Sequence, residues 1–400
     1  MLQEQKHLLA LLAACFNEKD LTEEIPQEQW ADIFRLAQEH TVVSLAFAGT
    51  QAVRDQIPAE LTARWRGLML NIMMQNNRIN AAEKEILGLM EEAGLPCVIL
   101  KGSSFSVCYP QPDLRLLGDI DLLTRPEDGE KIKEILEKAG FHAPETDHPF
   151  HIDYYRKGVV LEIHYAASTF PDTPGGNKAK ACMADCLSSV QKVPFSDFMI
   201  PVLSPAHQAL SALLHMERHM TTISISLRQV YDWAAFVASV PVAQFTEEVL
   251  PVLEDCGLAR FAQVITKTCI RYLGMDAALA PWCAKVENSM TEAMMEEILR
   301  AGNLGQSPES DDVSNILVDR NGSSNYLKNL ISFLSTSSRK QFPITKKLPI
   351  LLPFFWIYLP LRFWVRSLLG LRQKKSLSHT VYQAKKRSKL YRKLRLFDAV

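Results

Sequence analysis

Three features predict an α+β protein. The first ninety or so residues are helical in pattern, residues 97 to 165 alternate strand and helix, and helix returns after Pro205. Trp30, Ile33, Leu36 and Ala37 recur at helical spacing, and Pro58 opens a long run rich in Ala, Met, Leu, Glu and Arg. Gly94-Leu95-Pro96 stops that run and leads into an extended segment. Cys97 to Leu100 is a short apolar run of strand type, followed by Lys101-Gly102-Ser103-Ser104. Asp119 to Leu123 alternates charged and apolar residues, as a strand with one functional face does. Thr124 and Glu127 have the spacing of a capping box. Ile132, Ile135, Leu136 and Ala139 then line one helix face, and Gly140 stops that helix. His151–Tyr155 and Val159–His164, divided by Arg156-Lys157-Gly158, pattern as a β-hairpin. Further helices are expected around 205–220, 226–239 and 244–272, and a loop or linker over Asn303–Asn325.

The chain has 400 residues, enough for two or three domains, and its 47% hydrophobic and 22% charged residues belong to a folded protein. Eight scattered cysteines without a CxxC pair point to free thiols in a reducing compartment. The N-terminus lacks the basic start and apolar core of a signal peptide, so a cytoplasmic protein is expected. From Arg339 onward the sequence holds 16 Lys/Arg and one acid, Asp398, which leaves a body acidic by about 16 charges. Such a tail suits an anionic partner: a membrane surface, the acidic body itself or, less favoured, nucleic acid. Leu348–Leu361 is uncharged but carries three prolines and is too short to span a bilayer. Trp356, Tyr358, Phe363 and Trp364 beside basic residues would suit a membrane interface, and packing against the body is the alternative.

The chemistry lies between residues 101 and 162. Asp119 and Asp121 stand at i and i+2, so on a strand both carboxylates face one metal site. Glu162, on a later strand, is placed to complete the site and to take a proton from an attacking hydroxyl. Carboxylates are the ligands Mg²⁺ prefers, and two such ions offset the charge that develops on phosphate oxygens during transfer. Gly102-Ser103, directly after a strand, offers backbone N–H groups and a hydroxyl to a triphosphate.

Leu100-Lys101-Gly102-Ser103, Tyr109-Pro110, Arg115, Gly118-Asp119-Ile120-Asp121-Leu122, Gly140-Phe141 and Leu161-Glu162-Ile163-His164 resemble the uncharacterised nucleotidyltransferase family of the polymerase-β superfamily. The likeness continues to about residue 240 through His215, Leu227-Arg228 and Tyr231-Asp232. It implies a polymerase-β-type mixed sheet with flanking helices, embedded between helical N-terminal and C-terminal regions. It also implies an NTP donor, a two-metal Mg²⁺ site on Asp119, Asp121 and Glu162, and triphosphate contacts from Gly102, Ser103, Lys101 and Arg115. Two departures stand out: fifteen residues separate Ser103 from Asp119, longer than the superfamily's usual spacing, and the third acid is Glu rather than Asp.

Other patterns carry less. His215 and His219 share a helix face, but Met216 stands where a zinc protease has Glu, so a pocket or packing role is expected for His215. Cys182 and Cys186 have no second ligand pair, and His148 and His151 read as ordinary polar surface or as neighbours of the site. A serine-hydrolase elbow and a Gly-Lys phosphate loop are both missing from the sequence.

The regions expected are 1–95 helical, 96–200 nucleotidyltransferase core, 201–302 helical, 303–338 linker with a short helix, and 339–400 a basic, partly apolar tail. The function expected is Mg²⁺-dependent transfer from an NTP to a hydroxyl or phosphate of a small molecule or modified peptide. The alternatives are a catalytically inactive antitoxin-like binding protein and a membrane-surface assembly factor.

Overall fold

A six-stranded mixed sheet organises the molecule. Its strands are β1 (Cys97–Ile99), β2 (Ile120–Thr124), β3 (His151–Arg156), β4 (Val159–His164), β5 (Gln191–Phe195) and β6 (Phe198–Val202), in the order β3-β4-β2-β1-β6-β5. The structure, a computed structural model, describes residues 1–144, 151–222, 225–301, most of 331–368, and 377–398. β2 runs antiparallel to β1 and parallel to β4, with Asp121 opposite Glu162, and Glu162 in turn faces Asp153 on β3. The β3–β4 hairpin turns at Lys157-Gly158, where both residues have positive φ (47° and 78°), as a tight two-residue turn requires.

Helices cover both faces. α1 (Gln3–Phe16), α2 (Trp30–Glu39) and α3 (Val43–Ala48) precede the long α4 (Ala59–Glu92). Trp30, Ile33, Leu36 and Ala37 of α2 are all buried, as their spacing predicts. The first half of α4 joins the main core through Leu61, Trp65 and Ile72, and its second half lays Ile79, Ile86 and Met90 on the sheet. Gly94, at φ +68°, ends it. α5 (Ser103–Ser106) is a single turn, and α6 (Gly129–Lys138) seats Ile132 and Leu136 against Ile120 and Leu122 of β2. Strand alternation then sends Asp121 and Leu123 to the opposite face. That face is covered by α8 (Pro205–Thr222) and α9 (Leu227–Ser239), which follow α7 (Pro174–Ala184). α1 packs on the helix Ala259–Leu273, where Asn17 Nδ2 donates to the Leu273 carbonyl at 3.3 Å.

The fold is the α+β mixed sheet with flanking helices that the sequence predicts, with four local differences. Asp119 lies just before β2, not within it. Thr124 and Glu127 form no capping box, because Thr124 is spent on the sheet opposite Cys97 and α6 starts at Gly129 without a side-chain cap. The 244–272 run is two helices, Val242–Asp255 and Ala259–Leu273, broken at Gly257 with φ +68°. β5 and β6 were not expected. His148 and most of the linker over 303–338 lie outside the described residues.

The tail divides in two. At its end, Leu390, Tyr391, Leu394 and Phe397 enter the main core, and the Phe397 N–H donates to the Gly257 carbonyl at 2.9 Å. Arg387 Nε donates to Glu297 Oε1 at 2.8 Å, both side chains being buried. This end therefore packs on acidic groups of the body. The preceding segment Pro349–Arg362 is apolar yet exposes Ile350, Phe354, Ile357 and Leu361. Among the described residues no single helix is long and apolar enough to cross a membrane.

Candidate active site

The face of β2 turned toward α8 and α9 opens into a pocket of about 250 Å³ whose lining includes Lys101, Gly102, Asp119, Asp121, Glu162 and Arg228. The three acids singled out in the sequence therefore meet in one place, brought there by the β2–β4 pairing. Lys101 follows β1, and its Nζ lies 2.8 Å from Asp121 Oδ1. Gly102 turns the chain at φ +67° and ψ −117°, a backbone conformation that glycine alone adopts without strain.

Ser103 does not face the pocket. It is buried, and its hydroxyl donates to Glu83 Oε1 of α4 behind the turn. Burial pushes the Glu83 carboxyl up to about 7, against the opposing pull of the Ser103 bond and Arg115. Arg115 lines the pocket with two nitrogens already committed. Its Nε and Nη2 donate to the Asp232 carboxylate at 2.7 and 2.8 Å, and the Tyr109 hydroxyl donates to the same carboxylate at 2.5 Å. This buried cluster ties α9 to the loop that carries the acids.

The electrostatics are those of a carboxylate cluster held by cations. Burial works against charge on Asp121, but Lys101 and the His164 ring overcome it and hold the carboxyl below its usual range. Asp119 moves the other way, raised by burial and by the charge of Asp121. His164 Nε2 lies 2.9 Å from Asp121 Oδ1 and 3.1 Å from Glu162 Oε2. These bonds raise the imidazole against the effect of burial, and the same His164 bond lowers Glu162. Lys101 and the His164 imidazole thus line the side of the acidic centre that offsets its negative charge.

Two residues at the site, His164 beside the pocket and Arg228 in its lining, were given no role by the sequence. His164 was quoted only within its motif, although its i+2 relation to Glu162 on a strand puts both on one face. Arg228, from the first turn of α9, is half-buried in the pocket wall; its Nη1 donates to the Leu116 carbonyl at 3.4 Å, and its Nε has no hydrogen-bond partner among the described residues. His215 lines the pocket too, 3.2 Å from Gln229 Nε2 through its Nδ1 and ring to ring with His219 at 4.3 Å. Burial holds it well below the usual imidazole value, and nearby Lys101 adds to that effect. The eight cysteines are all free thiols.

A search of the curated proteins found no match. Among solved structures, the crystal structure of ANT(2″)-Ia in complex with adenylyl-2″-tobramycin is similar at 14% identity and TM-score 0.25, covering 52% of this chain and 99% of that one. The family described as uncharacterised nucleotidyltransferase matches residues 26–274, which take in α4, the whole sheet and the pocket walls of α8 and α9. On that match over more than half its length, the chain belongs to the uncharacterised nucleotidyltransferase family.

Proposed function

We propose that this pocket catalyses Mg²⁺-dependent transfer of a nucleotidyl group from an NTP to a hydroxyl or phosphate of a small molecule or modified peptide. The observation that carries this is the convergence of Asp119, Asp121 and Glu162 with the Gly102 turn and two cationic side chains, Lys101 and Arg228. The donor set fits the metal, since three carboxylates supply the oxygen ligands that Mg²⁺ takes. Bound there, Mg²⁺ would neutralise triphosphate charge and acidify the acceptor hydroxyl. In this reading Glu162 receives the acceptor's proton as the new oxygen–phosphorus bond forms and pyrophosphate departs. Lys101 and Arg228 hold the triphosphate, the half-buried guanidinium keeping its Nε donor unspent. Arg115 and Asp232 hold the loop in shape, and the backbone at Gly102 lets phosphate approach closely.

Isothermal titration with each of the four NTPs, with and without Mg²⁺, tests this on the wild type and on Asp119→Ala/Asp121→Ala. Metal-dependent binding of an NTP that the double variant loses is the expected result. A folded wild type that binds none of the four would favour the non-catalytic binding protein.

We also infer that the segment Pro349–Arg362 rests on an anionic membrane surface. Ile350, Phe354, Ile357 and Leu361 are 86%, 64%, 73% and 55% exposed and recur at helical spacing, and the sequence carries no acid from Arg339 to Phe397. Flotation with phosphatidylserine vesicles should carry the wild type and lose Phe354→Ser/Ile357→Ser. Equal flotation of the two proteins, or none of either, would rule this out.

A further inference from the structure

Glu162 has a second set of neighbours. The β3–β4 register places His151 opposite His164 and Asp153 opposite Glu162, so these side chains share one face of the hairpin. The two imidazole rings lie 5.1 Å apart. One donor atom from each of His151, Glu162 and His164 lies within 4.8 Å of the other two. All three side chains are half-buried, which leaves access from solvent. Asp153 Oδ1 stands 3.2 Å from His151 Nε2, so its negative charge bears directly on that imidazole.

Two imidazoles and one carboxylate are not the ligands that Mg²⁺ selects. Nitrogen donors suit first-row transition metals, and a set of two His and one carboxylate with open positions is a recurrent site for them. We propose that His151, Glu162 and His164 form a transition-metal site of the Zn²⁺ class, adjoining the oxygen-lined position at Asp119 and Asp121 and sharing Glu162 with it. A carboxylate has two oxygens, so Glu162 can serve both positions at once. The site adds a metal of a different class to the pocket, and its existence does not depend on the proposed nucleotidyl transfer.

The test uses the metal alone on the full chain with its thiols alkylated. Zn²⁺ is titrated in competition with a chromophoric chelator, and Co²⁺ is added to read the visible absorption of a nitrogen-ligated ion. The wild type should bind one Zn²⁺ and give the Co²⁺ bands. His151→Ala should bind Zn²⁺ at least about 100-fold more weakly and lose the bands, and Asp153→Asn should bind about tenfold more weakly. A wild type without Zn²⁺ binding, or an affinity unchanged in His151→Ala, would overturn the proposal. Mg²⁺-dependent NTP binding by His151→Ala reports separately on the nucleotidyl-transfer site, so the failure of either proposal is recognisable by itself.

Discussion

Removing the Asp232 carboxylate should destabilise the protein by about 3–5 kcal/mol, the range found when one partner of a buried ion pair is deleted. Asp232 and Arg115 are 8% and 5% exposed, and the carboxylate accepts three hydrogen bonds, two from Arg115 and one from Tyr109. In Asp232→Ala the guanidinium stays buried and cannot shed its charge, because arginine does not deprotonate in proteins. The Tyr109 hydroxyl also loses its acceptor, which adds about 1–3 kcal/mol if water does not replace it. Arg115→Met/Asp232→Ala removes both charges and should recover most of the loss, since apolar replacement of a buried pair is often neutral. Urea unfolding of the wild type, both single variants and the double variant gives the coupling energy directly. An Asp232→Ala loss below about 1 kcal/mol, the scale of an exposed pair, would refute the reasoning. A double variant as unstable as the single one would do the same.

Glu83 makes stability depend on pH. Its carboxyl is raised to about 7 from 4.5, so the folded state holds the proton more tightly. Stability is therefore fully present below about pH 4.5 and declines as pH rises toward 7, by on the order of 3 kcal/mol. Glu83→Gln keeps an acceptor for Ser103 and should remove that decline, read as the difference between the two proteins at pH 5 and pH 8; parallel curves would contradict it. At Gly102 an added Cβ would meet nothing closer than the Asp119 carbonyl at 3.6 Å, so Gly102→Ala tests backbone conformation alone. It should cost about 1–3 kcal/mol in denaturant unfolding, and a wild-type midpoint would show that the turn carries no strain.

What could be read from the sequence had local causes. α4 was legible because Pro58 starts it and Gly94-Leu95-Pro96 stops it, and the hairpin because Lys157-Gly158 separates two alternating runs. Asp121 and Glu162 were legible because each stands in an alternating run that forms a strand, and Asp119 because it stands two residues before Asp121, although it falls just outside β2. β5 and β6 were hidden by Pro194 and Pro201 and by the exposed Gln191, Lys192 and Pro194 of an edge strand, where proline is tolerated. Thr124 misled because a capping sequence and a strand end are spelled alike. The roles of Glu83, Asp232 and Arg228 depend on contacts with residues far away in the chain, and no spacing rule announces those.

The packing of α1 bears on how the protein is made. Part of the apolar surface of α1 is met by α2 and α3, which leave the ribosome soon after it. The remainder waits for the helix Ala259–Leu273, and the bond from Asn17 to Leu273 spans 256 positions. At synthesis rates of about 5–20 residues per second, that interval is on the order of tens of seconds. Throughout it the nascent chain presents an uncovered leucine surface close to its N-terminus, which is a substrate for chaperones before it is part of an enzyme.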